Sequence, residues 1–194
     1  MSNCADCTNL VSFDQPTSSC KKTRSKVTEV RVGCEDNLVE TYAAATTAGC
    51  TIGYIDSLVS VDPVGTPTPL INIPIFNETE FDETNAFSFD RDADVGEDTW
   101  SINPGVKVFN DDHQCVLDSM KGQDVVVFYK VEGRDGGFVW RRLKGKLTAV
   151  EGGLIAGYTL TVDTVDPAEE DKPLWVSLGA APATTTAIDA LTAF

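Results

Sequence analysis

Between Gly122 and Val165 the chain contains three apolar, β-branched segments separated by glycine turns. The first follows Gly122 and centres on Val125-Val126-Val127-Phe128-Tyr129-Lys130-Val131. Gly133-Arg134-Asp135-Gly136-Gly137 separates it from Phe138–Thr148, and Gly152-Gly153 precedes Leu154–Val165. Valine, threonine and aromatic residues fit a pleated, half-buried surface, while the glycines allow the backbone to reverse. Gly136 and Gly137 are expected to set a tight hairpin. The stretch restricts the fold to a β-sheet class and contains no catalytic pattern.

The rest of the chain agrees with one β-rich domain. Lys26–Val32 alternates and reads as a strand, as does Thr51–Val61. Cys34–Gly49 is ambiguous: Leu38, Val39, Tyr42 and Ala43 are spaced helically, but the Ala/Thr run fits an extended loop equally well. Asp62–Pro69 is a turn-rich break. Leu70–Phe76 alternates, and Pro74 assigns it to an edge. Residues 77–98 are strongly acidic with interleaved phenylalanines, which predicts a solvated loop or long hairpin held by aromatic anchors. Thr99–Phe109 follows as a strand. Asn110-Asp111-Asp112 can cap a helix whose apolar face is Cys115, Val116 and Met120, stopped by Lys121-Gly122. Pro173–Leu178 is a further strand candidate. The expected organisation is a cysteine-containing N-terminal arm over residues 1–24, a single domain over 25–178 and an Ala/Thr-rich arm over 179–194.

A length of 194 residues suits a single domain with arms. No apolar run approaches a membrane span. Met1–Cys7 lacks the basic and apolar regions of a signal peptide, so synthesis in a cytosol is expected. The net charge of −15 argues against binding nucleic acid by neutralising phosphates. It suits solubility, or a wall that repels passing DNA. Lys21, Lys22, Arg24 and Lys26 form the basic cluster of the N-terminal region.

The candidates for chemistry are few. Cys4 and Cys7 make one Cys-x-x-Cys knuckle, and Cys20 and Cys34 would complete a tetrahedral zinc set. The second pair lacks knuckle spacing, and free thiols are the plainer reading. Asp90, Asp92 and Asp94 resemble a calcium loop, but Gly96 falls one position late and Ser101 stands where a bidentate glutamate is required. His113, the single histidine, lies too close to Cys115 on one helix to form a dyad. No nucleophile elbow, phosphate loop or dinucleotide fingerprint is present. An enzyme is not expected, and neither is a cofactor. On the strand around Arg141, alternation places Arg142, Lys144 and Lys146 with Trp140 on one face. That face is either solvated or an intersubunit surface that meets the acidic 78–98 segment of a neighbour.

The order of elements resembles the tail tube proteins of tailed phages. Gly122, the run Val125–Phe128, the Arg134-Asp135-Gly136-Gly137 turn, Trp140 and Gly157-Tyr158-Thr159-Leu160-Thr161 carry the likeness, which covers the second half well and the first half in outline. The cysteine-rich start and the Ala/Thr tail depart from a minimal tube protein. The resemblance implies a mainly β fold: a β-sandwich or open barrel with one flanking helix, a long acidic hairpin and extended terminal arms. It further implies a virion subunit, made in the host cytoplasm, that forms stacked hexameric rings. Its partners would be itself, other tail proteins and DNA sliding through the lumen without specific binding. The expected assembly residues are Glu78, Glu80, Asp82, Glu83, Arg141, Arg142, Lys144, Lys146 and Phe194. A head–tail connector, tail terminator or capsid decoration protein is the nearest alternative, and a zinc-stabilised binding module is a more distant one.

Overall fold

The structure, a computed structural model, describes residues 27–47, 50–65, 67–73, 81–90, 95–106, 115, 118–132, 138–152, 158–165, 171–179 and 181–193. It is mainly β, a curled open sheet that forms a half-barrel. The strands are β1 (Val27–Cys34), β2 (Leu38–Thr47), β3 (Cys50–Ser60), β4 (Leu70–Ile73), β5 (Phe81–Asp90), β6 (Val95–Val106), β7 (Asp124–Glu132), β8 (Phe138–Gly152), β9 (Tyr158–Val165), β10 (Leu174–Val176) and β11 (Thr192–Ala193). Among the described residues one helix of seven or more residues, α1, spans Ala181–Ala190. The main order is β11-β4-β1-β7-β8-β10-β3-β2, and β9, β6 and β5 continue from β8 as a branch.

The three segments singled out in the sequence are β7, β8 and β9, an antiparallel meander. The central position of β7 explains its unbroken apolar run. Val125, Val127 and Tyr129 face one core cluster, while Val126 and Phe128 face the other, so a strand buried on both sides has no polar face to present. Residues 133–137, including Gly136 and Gly137, lie outside the described residues. The pairing of Glu132 with Phe138 fixes the register on either side of them.

Connectivity requires the curl. β1 and β2 stand five positions apart in the sheet, about 24 Å if it were flat. Only the 3-10 turn Glu35–Asn37 joins them. Four residue steps from Cys34 to Leu38 span at most about 14 Å. The sheet must therefore roll until the start of β2 returns towards the end of β1.

Both faces of the roll are filled. The first cluster gathers Val30, Val32, Val127, Leu143, Leu147 and Val162, with Met120 from the helical turn before Gly122. Gly122 itself has φ +81°, the left-handed conformation expected of a helix stop. Cys115, expected on the apolar face of that helix, is exposed. The second cluster holds Ile55, Leu70, Phe128, Trp140 and Ile188. Ile55 and Leu58 both point inward because β3 carries one extra residue, Asp56, where the register shifts against Thr41 and Tyr42.

Two sequence expectations are corrected. Cys34–Gly49, read as helix or loop, contains the ten-residue strand β2. Its pairing with β3 from Leu38↔Ser60 to Thr47↔Cys50 overrides the helical spacing. The segment 179–194, read as an extended arm, is instead mostly α1 followed by β11. Ile188 is fully buried, and Thr192 and Ala193 pair in parallel with Leu70 and Ile71. That pairing covers Leu70 and Ile71, while Asn72 and Ile73 pair with β1 alone among the described residues and Pro74 lies outside them. The acidic segment is a hairpin within the described residues, with β5 and β6 paired from Phe81↔Pro104 to Asp90↔Val95.

Candidate assembly surfaces

The basic residues of β8 differ in burial: Arg142 is locked into the molecule, while Lys146 is exposed. Arg142 is 1% exposed and lies 2.7 Å from Glu40, which is itself 6% exposed. Both point into the concave side, where Trp140 packs. The expectation of a surface role for Arg142 is therefore corrected: its partner comes from β2 of the same chain, brought over by the roll. The contact runs through one guanidinium nitrogen and one carboxylate oxygen, and Nε and Nη1 of Arg142 and Oε1 of Glu40 have no hydrogen-bond partner. Burial pushes Glu40 above the usual carboxylate range, against the opposing pull of Arg142 and Lys144. Burial likewise pushes Arg142 below its usual value, against the pull of Glu40 and Asp171. Desolvation thus outweighs attraction on both sides of the pair.

Lys144 is shared among three carboxylates, at 2.8 Å from Glu35, 3.7 Å from Glu40 and 3.9 Å from Asp171. Lys146 is well exposed and lies 3.9 Å from Asp124. Arg141 points to the opposite face, where its guanidinium lies 5.0 Å from the Trp175 ring centre and donates to the Pro173 carbonyl at 3.2 Å. The four charges of this strand thus stand in four different surroundings.

A second polar group ties α1 to the concave face. Arg31 is 2.8 Å from Glu29 and 3.3 Å from Asp189 of the helix, and it donates to Asn72 at 2.6 Å. Lys130 pairs with Glu29 at 2.6 Å. The Trp140 indole donates to Thr185 at 3.0 Å, with Arg31 and Lys130 each 5.7 Å from the ring centre. The sequence reading missed this group, because its members are scattered over β1, β4, β7, β8 and α1.

Of the other expected assembly residues, Asp82 and Glu83 sit in β5 opposite Asn103 and Ile102. Glu78, Glu80 and Phe194 lie outside the described residues, as do Cys4, Cys7, Cys20, His113, Asp92 and Asp94. Cys34 is a half-buried free thiol packed against the first cluster. Among the described residues no group of three or more His, Cys, Asp or Glu side chains is placed to hold a metal ion.

The sheet itself presents two long edges among the described residues. β2 and β5, ten residues each, are paired on one side only among the described residues. Thr41, Tyr42, Ala44 and Ala45 of β2 are exposed, and the one acidic side chain of that strand, Glu40, points inward. On the outer face Val39 and Val59, a directly opposed pair, are each about half exposed, and Val61 follows them. Natural edges are usually guarded by charge, proline, a bulge or cover; among the described residues β2 has the inward-pointing Glu40 and the bulge against β3 at Thr41 and Tyr42, but no proline and no outward-pointing charge. Comparison with family models, curated proteins and solved structures finds no match.

Proposed function

We propose that the chain is a self-assembling structural subunit of a tailed-phage virion, in first place the tail tube. One observation carries the reading: a single rolled sheet ends in two long, one-sided strands, β2 and β5. Joining β2 of one copy to β5 of the next satisfies both edges and continues the sheet from subunit to subunit. A contact between two different surfaces gives a ring where the repeated rotation closes and an open stack where it does not. Supporting this, the buried charged groups Arg31, Arg142 and Glu40 are paired within the chain and brace the roll. The net charge of −15 suits a conduit that repels DNA phosphate instead of holding it.

Negative-stain microscopy of the purified protein over a range of concentrations tests the reading. Rings or tubes are the expected result. A particle that stays monomeric at high concentration overturns it. If the protein is instead a connector, terminator or decoration protein, quantitative mass spectrometry of the virion will find few copies or a capsid location.

A further inference from the structure

We infer that the β2–β3 hairpin is an exchange element: within an assembly it leaves its own seat and fills the same seat on a neighbouring copy. The inference rests on the self-assembly proposed above and specifies what the copies trade. The hairpin holds itself together, with β2 and β3 paired from Leu38↔Ser60 to Thr47↔Cys50. Its two ends meet at one place, where Val61 N–H donates to the Asn37 carbonyl at 3.0 Å. It therefore hangs from a single point and can turn there without parting β2 from β3.

Its hold on the body is slight for its length. Among the described residues the hairpin joins the rest of the sheet at β10 alone, through Trp175↔Tyr54 and Val176↔Ile55. Ile55 and Leu58 are its buried apolar side chains among those residues, with Leu38 packed beside them, whereas Val39, Tyr42 and Val59 are exposed. Its buried charge, Glu40, reaches Arg142 at 2.7 Å, but Glu40 Oε1 and Arg142 Nε and Nη1 have no partner. A buried pair so incompletely bonded adds little net stability. The connection from β1 is the three-residue turn Glu35–Asn37, which joins strands five places apart and leaves little slack. Short connections under such constraint promote exchange of the element they carry. Pro63, Pro67 and Pro69 stiffen the return to β4.

A two-stranded ribbon is marginal by itself in water, so a hairpin that swings out must land on another seat. That seat is shaped by Phe128, Trp140, Val176 and Ile188 and marked by the Arg142 guanidinium. This hairpin presents Ile55, Leu58 and Glu40 at the spacing the seat requires. The occupant of a vacated seat is therefore the hairpin of a second copy. Exchange keeps the contacts of the closed copy and alters only the connections, which makes it a low-cost way to bind copies together. In dilute solution each hairpin stays on its own body. Copies already joined meet at an effective concentration on the order of millimolar, where a neighbour's seat competes.

Two experiments on the full-length chain test the exchange. The variant Tyr54→Cys/Trp175→Cys places thiols at directly paired positions, close enough for a disulfide. Light and heavy-nitrogen batches are mixed while dilute, concentrated until assemblies form, oxidised, digested and read by mass spectrometry. With complete exchange among randomly mixed copies, about half of the links between the two sites should join a light peptide to a heavy one. In dilute protein the links should be same-copy. The second experiment mixes a Glu40→Arg chain with an Arg142→Glu chain. Each alone sets like charges together in its own seat, whereas exchange in the mixture places opposite charges in every seat. The mixture should give roughly tenfold more folded, assembled protein than either variant alone. Rings whose links are all same-copy, or a mixture no better than its components, overturn the exchange and leave the tube reading standing. Mixed-copy links in particles that never form rings overturn the tube reading and support the exchange. A protein that stays monomeric in both experiments overturns both.

Discussion

Arg142 occupies a site poorly matched to its charge, and the mismatch makes its energetics predictable. Removing one member of a buried ion pair strands the other. Arg142→Met alone, or Glu40→Leu alone, should destabilise the fold by about 3–5 kcal/mol in urea unfolding. Making both changes together should restore stability to the wild-type level or above, because the uncompensated desolvation disappears with both charges. Glu40 also sets a pH dependence. Its folded value is raised above 4.5, so the native state holds a proton that the unfolded state has already released. Its stabilising contribution is fully present below about 4.5 and is lost as pH rises through the folded value. The stability of wild type minus that of Glu40→Gln should therefore fall with rising pH across that window. A difference that grows with pH would mean the carboxylate prefers its charged form in place. The face occupied by Arg142 was legible from alternation along β8. Its burial was not, because the group that covers it comes from β2, remote in sequence.

At the scale of elements, legibility followed the locality of the cause. β7, β8 and β9 are specified by their own residues and intervening glycines, and so were readable in advance. α1 was not. Thr184, Thr185 and Thr186 are indifferent helix formers, and their composition reads as an arm. The helix exists because the fold supports it. Thr184 accepts a hydrogen bond from Leu178 N–H at 3.0 Å, Thr185 accepts one from Trp140, and Ile188 fills the second cluster. Tertiary burial supplies most helix stability when propensity is low. Ile188→Ala should accordingly cost about 2–5 kcal/mol by chemical denaturation, and circular dichroism of the variant should show helix loss before loss of the strand signal. β2 was misread for the complementary reason. Its apolar spacing mimics a helix, and only pairing with β3 identifies it as a strand.

For the whole molecule, hairpins were visible in the sequence and the roll was not, since it depends on distant pairings: β1 with β4, β10 with β3, and β11 with β4. The candidate assembly surface is a product of that roll, so only its acidic hairpin half was foreseen. If β2 is a joining edge, lysines placed on it should block joining without unfolding the subunit. Ala44→Lys/Ala45→Lys should yield a folded monomer by sedimentation velocity, and rings from that variant would move the joint elsewhere. The manner in which β2 and β3 are attached has a further consequence. Among the described residues they connect to the rest of the sheet through β10 alone, which contributes three residues and two parallel pairs, extended by one bond from Ser177 N–H to the Ile55 carbonyl. So narrow a hinge line should let that hairpin open as a unit while β7 stays closed. In native-state hydrogen exchange the amides of β2 and β3 should therefore form a separate, faster group, and that group should slow selectively once subunits join.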